Sequence, residues 1–129
     1  MKLKFKQQPF QAEAARCVVR AFQGQSAHEG FVYIKDRGKQ KEENSLFPEA
    51  VGFGNAPLSL QPSDIAENVR SIQIEQGLKP IEHLEGEGGI YLTVEMETGT
   101  GKTYTYIKTM YELNREYGWS KFIVVVPSV

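Results

Sequence analysis

The stretch Met96-Glu97-Thr98-Gly99-Thr100-Gly101-Lys102-Thr103 decides how this chain of 129 residues is read. It follows the phosphate-loop pattern, two glycines running into a Lys-Thr pair, with Met96 where that pattern opens on glycine. Gly99 and Gly101 let the backbone turn without Cβ clashes, so successive N–H groups can face one anion. A helix starting at Lys102 adds its unpaired amino-terminal N–H groups and the positive end of its dipole. Lys102 would reach the β and γ phosphates of a nucleotide and is the candidate catalytic residue. Thr103 would place its hydroxyl on Mg²⁺, which keeps most of its waters. Glu97, Thr98, Gly99, Thr100, Gly101, Lys102 and Thr103 are thus the candidate nucleotide contacts. The plainer alternative is a glycine-rich connection with no ligand, and the flanking sequence decides against it.

On the amino-terminal side, residues 90–95 hold Ile, Tyr, Thr and Val after a glycine pair, a composition that suits a pleated, half-buried strand. On the other side, residues 102–117 contain no Gly or Pro, carry Ile107, Met110, Tyr111 and Leu113, and stop at Gly118, which predicts a long helix. Residues 122–126 form a continuous apolar run ended by Pro127, as expected of a strand covered on both faces of a parallel sheet. Strand, loop, helix and strand together predict a right-handed βαβ unit.

Further upstream, residues 8–22 place Phe10, Ala14, Cys17, Val18, Ala21 and Phe22 on one helical stripe, with Pro9 in the first turn and Gly24 beyond the end. A second helix is expected over 63–77, with Ser63 as N-cap and Ile65, Val69 and Ile72 on one face. Between them, residues 31–34 suit a short strand, 35–44 a solvated loop of mixed charge, and 45–60 no regular structure. Residues 85–89 read as a break. The expected layout is one domain portion over 1–129: a helix over 8–22, an inserted region over 23–89, and the phosphate-loop unit over 90–129.

Hydrophobic residues make up 40% of the chain, and 15 basic residues face 16 acidic ones, so net charge singles out no polyanionic partner. The single cysteine, Cys17, allows no internal disulfide. With no charged-then-apolar leader in view, a cytoplasmic location is expected. The run at 122–126 is far short of the roughly 20 residues that cross a bilayer, so no membrane partner is expected. His28 and His83 stand apart from other metal-type ligands and read as surface residues. Cys17 reads as a small core residue, and Tyr104, Tyr106, Tyr111 and Tyr117 as packed core aromatics rather than a base-stacking platform.

Met96 narrows the choice among nucleotide-binding loops, because small-molecule kinases and GTPases keep glycine there while many motor proteins replace it. The run from Val94 to Thr103, the segment Tyr111-Glu112-Leu113-Asn114 and the run Lys121 to Val129 resemble superfamily 2 helicase-like ATPases, and within them the Res subunit of type III restriction-modification enzymes. Leu3-Lys4-Phe5-Lys6 and Phe10-Gln11 resemble that family's opening segment. The resemblance implies an α/β fold, the amino-terminal part of a RecA-like P-loop domain with a parallel sheet and flanking helices. It also implies that Gln11, with Gln8 as the alternative, reads the adenine edge; an amide can accept from the exocyclic amine and donate to a ring nitrogen. Pro127 and Ser128 match a motif that touches the DNA backbone, where a hydroxyl and backbone amides grip phosphate without reading sequence. ATP and Mg²⁺ are the implied cofactors. Double-stranded DNA and a modification methyltransferase subunit are the implied partners.

Hydrolysis also needs an acidic pair and an arginine that stabilises charge in the transition state. After Lys102 the acidic residues are Glu112 and Glu116, inside the expected helix, and the two aspartates, Asp36 and Asp64, form no nuclease arrangement. The isolated chain is therefore expected to be an incomplete enzyme that aggregates, pairs with itself or orders only in part. Three functions are compatible with the residues: a DNA translocase coupled to cleavage, another P-loop phosphotransferase or a nuclease-free remodeller, and a nucleotide-binding module without turnover.

Overall fold

The computed structural model describes residues 8–27, 55–84 and 89–126, and these contain three helices. α1 spans Pro9–Ala21, α2 Pro62–Glu75 and α3 Lys102–Tyr117. α1 contacts both α2 and α3, which do not contact each other.

Each helix has an identifiable start and stop. Pro9 and Pro62 open α1 and α2, where a fixed φ and a missing N–H cost nothing. The cap of α2 is Gln61, not the expected Ser63. The Gln61 N–H donates to Asp64 Oδ2 at 2.9 Å, and the Gln61 side chain accepts in return, a reciprocal capping box. Gly77, at φ 69°, ends α2: the N–H of Leu78 reaches back to the Gln73 carbonyl at 2.8 Å, and that of Gly77 to Ile74 at 3.0 Å. The carbonyls at the end of α1 are closed from outside the helix. Asn68 of α2 donates Nδ2 to the Ala21 and Gln23 carbonyls at 3.2 and 2.9 Å.

Packing joins the helices through small contacts. Ala15, Ile65, Ala66, Ile72, Leu113 and Tyr117 are buried. The Tyr117 hydroxyl donates to the Val19 carbonyl at 2.9 Å, tying the end of α3 to α1. Arg20 meets Glu75 through two hydrogen bonds of 2.6 Å, tying α1 to α2. Trp119 lies edge-on to Phe22, with ring centroids 5.1 Å apart, and tilted against Tyr117.

The faces differ from the hydrophobic stripes in two places. Phe10 is exposed, and the buried face of α1 runs through Gln11 and Ala15 instead. Of the α3 tyrosines, Tyr117 is buried, whereas Tyr106 and Tyr111 are exposed. Four core tyrosines are not what α3 provides. Cys17 is half-buried beside Gln76, whose Nε2 lies 3.1 Å from its sulfur. Burial, and then the neighbouring Glu13, push the thiol above its ordinary pKa, which keeps it protonated.

The expected parallel sheet is absent among the described residues, and for those residues the α/β reading is corrected to a helical one. Neither 90–95 nor 122–126 has a strand partner among the described residues. Ile123 is 94% exposed and Val125 87%, the opposite of a strand covered on both faces. The physical reason is that β-branched composition favours a local conformation, whereas a ladder needs a second chain segment alongside it. A side chain occupies backbone groups just ahead of the second segment. Asn55 Oδ1 accepts from the N–H groups of Ser120 and Lys121, and its Nδ2 donates to the Lys121 carbonyl at 2.7 Å.

The expectations for 31–34, 35–44 and 45–54, together with His28, Asp36 and the opening Leu3–Lys6 segment, lie outside the described residues. So do residues 85–88 of the expected break. No helix among the described residues is long and apolar enough to cross a membrane.

Candidate functional site

The phosphate loop leads directly into α3. Gly99 has φ 79° and Gly101, the N-cap of α3, has φ 87°; both lie in the left-handed region that favours glycine. Because Gly101 has no side chain, no side-chain cap competes for the first-turn amides of α3. A Cβ placed at Gly99 would meet nothing within 4 Å, so the turn opens onto free space. Open space and uncapped N–H groups at a helix start fit an anion.

The side chains of the loop hold it closed on itself. The carbonyl of Glu97 accepts from Lys102 Nζ at 2.9 Å and from Thr100 Oγ1 at 2.6 Å. The lysine is thus folded back along the loop, with its ammonium on a backbone oxygen where a phosphate oxygen could later stand. Glu97, Thr98, Gly99, Lys102 and Thr103 are exposed, and Thr100 and Gly101 are half-buried. Thr103 sits at the second position of α3, exposed to solvent.

Gln11 joins this group from the first turn of α1. Its Nε2 donates to the Thr100 carbonyl at 2.8 Å, while its Oε1 is buried with no hydrogen-bond partner. The nitrogen expected to donate to a ring nitrogen of adenine is therefore engaged by the loop itself. Gln8, the alternative, is half-buried at the N-cap of α1 and makes no side-chain cap bond there. Pro127 and Ser128 lie outside the described residues.

The sequence alone did not reveal the contact between Gln11 and Thr100. Its signal was available in the spacing: positions 11, 15 and 18 lie on one side of a helix, so a glutamine there is buried with its neighbours. Elsewhere, Glu112 is bound by Lys108 at 3.2 Å and by Arg115, along the flank of α3. His83 is exposed, and among the described residues no three His, Cys, Asp or Glu side chains gather where they could hold a metal ion. An open apolar groove lies between Phe22, Leu58, Ile90 and Trp119.

Comparison with known proteins places the chain in a family. Residues 4–129 match the family described as "Type III restriction enzyme, res subunit". Over 77 residues, 60% of this chain and 8% of the relative, it is 39% identical to the Type III restriction-modification enzyme EcoP15I Res subunit of Escherichia coli. Over 75 residues, 58% of this chain and 8% of the relative, it is 37% identical to the EcoPI Res subunit of Escherichia phage P1. A shorter stretch of 37 residues, 29% of this chain and 4% of the relative, is 60% identical to the StyLTI Res subunit of Salmonella typhimurium. The matched stretches therefore span less than a tenth of those relatives' length. No solved structure matches significantly. Since the family match runs from residue 4 to residue 129, this chain belongs to the Res subunit family of type III restriction enzymes.

Proposed function

We propose that this chain is the ATP-contacting portion of a DNA-stimulated motor whose ATP hydrolysis drives translocation along double-stranded DNA and cleavage of unmodified sites. The observation that carries the reading is a glycine turn, uncapped at the start of α3, with Lys102 and Thr103 as the first two helical residues. Family membership supports the rest, including a modification methyltransferase subunit as partner, since the relatives are named as Res subunits of restriction-modification enzymes.

In this reading the triphosphate tail lies across the turn. The N–H groups around residues 98–103 donate to its oxygens, and Lys102 exchanges the Glu97 carbonyl for β and γ phosphate oxygens. The Thr103 hydroxyl would help hold Mg²⁺, which would supply neutralisation of phosphate charge. Gln11 would favour adenine by accepting from the exocyclic amine through Oε1, its remaining free polar atom. Pro127 and Ser128 would touch the DNA backbone. Under this reading Glu112, held by Lys108 and Arg115 along α3, is not a carboxylate that orients water. That pairing also favours a second reading, in which this stretch by itself binds nucleotide without turning it over.

Lys102→Ala in the intact protein tests the proposal. ATP turnover and DNA cleavage should both disappear, and turnover at the unaltered rate would sink the assignment. ATP binding without hydrolysis by this stretch alone is the result expected of the second reading.

A further inference from the structure

Gln11 is 8% exposed, on a helix face otherwise made of alanine and half-buried apolar residues. A buried primary amide is costly unless its polar atoms are paired. Its single side-chain bond is to the Thr100 carbonyl, 89 positions away in sequence, and Oε1 has no partner at all. Nothing within α1 accounts for a glutamine here. The loop does.

Two details show how closely the amide is fitted to the turn. A Cβ at Gly101 would fall far inside van der Waals contact with Gln11 Nε2, so the amide fills the space that a side chain at 101 would take. The peptide unit joining Thr100 to Gly101 is planar and trans, so its carbonyl and its N–H point in opposite directions. Holding the Thr100 carbonyl towards α1 therefore turns the Gly101 N–H away from α1.

We propose that Gln11 is a positioning residue for the phosphate turn: by holding the Thr100 carbonyl it fixes the Thr100–Gly101 peptide plane and presents the Gly101 N–H to the triphosphate, whatever base the nucleotide carries. This rests on the reading of residues 97–103 as a triphosphate site, and it assigns Gln11 a task separate from contact with adenine.

The two tasks separate with a ligand that has no base. In the intact protein, Gln11→Met keeps the length of the side chain and removes the donor, while Gln11→Asn keeps a neutral amide and draws it back by one methylene. Equilibrium binding of Mg·ATP and of Mg·tripolyphosphate is measured for both variants and the unaltered protein, with amide hydrogen exchange across residues 12–21 as the control on α1. The expected result is that Mg·tripolyphosphate weakens roughly fivefold to tenfold, as for loss of a hydrogen bond that leaves a carbonyl unpaired, and Mg·ATP by at least the same factor. If Gln11→Met disturbs exchange in α1, Gln11→Asn with undisturbed exchange decides the matter in its place. Loss of ATP affinity with tripolyphosphate binding unchanged would make Gln11 a base reader and overturn the proposal. Failure of the unaltered protein to bind either ligand would overturn the triphosphate reading and this inference with it.

Discussion

The phosphate loop has two unequal flanks. On one side α1 and α3 close around it, with Gln11 on the loop, Tyr117 on the Val19 carbonyl, and Ala15 and Leu113 buried. On the other, residues 90–95 and 122–126 have no strand partner among the described residues, and Tyr91, Ile123 and Val125 are largely exposed. The difference follows from where each kind of element satisfies its backbone. A helix makes its hydrogen bonds within itself, so a neighbour has only to cover one face. A β segment needs its neighbour for backbone and side chains alike.

The comparison breaks most readily at a buried leucine. Leu113 of α3 is buried, and Leu113→Ala should lower the opening free energy of α1 and α3 by about 2–5 kcal/mol, the usual range for such a deletion. Val125→Ala on the other flank should change stability by less than about 0.5 kcal/mol, as for an exposed side chain. Hydrogen exchange of the helical amides in the intact protein measures both. Equal effects would mean that the two flanks are equally packed.

A smaller effect sharpens the contrast within the loop. Gly99 and Gly101 both have positive φ, so alanine at either should cost about 1–2 kcal/mol of backbone strain, read as weaker nucleotide binding. Gly101→Ala also collides with Gln11, and Gly99→Ala does not. Combining each with Gln11→Ala should therefore give a coupling of about 0.5–3 kcal/mol for residue 101 and none for residue 99. Equal couplings would show that Gln11 does not press on the turn.

The smallest effect concerns the link between α1 and α2. The two hydrogen bonds from Arg20 hold the Glu75 carboxyl below its ordinary pKa. A carboxylate depressed in this way stabilises the fold fully above its unfolded pKa, and that contribution fades as pH falls through the lower folded value. Because Glu75 is exposed at the surface, the change should be slight. Glu75→Gln should flatten the acid limb of stability in a pH series, and an unchanged limb would mean that the pair contributes nothing.

The loop and α3 were legible because their determinants are local. Gly99, Gly101, Lys102 and Thr103 lie within five consecutive positions, and the absence of Gly and Pro between 102 and 117 sets the length of the helix. The face of α1 was read less well. Counting apolar side chains put Phe10 inside and left Gln11 to a role at the ligand, whereas Gln11 is buried through a partner 89 positions away and Phe10 points to solvent. The tyrosines of α3 misled for a related reason: an aromatic ring fits a core or a surface equally well, and only the position of α1 selects Tyr117. The sheet was misjudged because β-branched runs state a preference and cannot name a partner.

The ammonium of Lys102, parked on the Glu97 carbonyl, gives the site a threshold. Any anion that draws it away must first replace a charge-assisted bond of about 1.5–3 kcal/mol. A small ion such as chloride, with one charge and no second point of attachment, cannot recover that from the lysine alone. Under the proposed reading a chain of linked phosphates would engage amides and ammonium together, and the resting loop would discriminate against weak single anions.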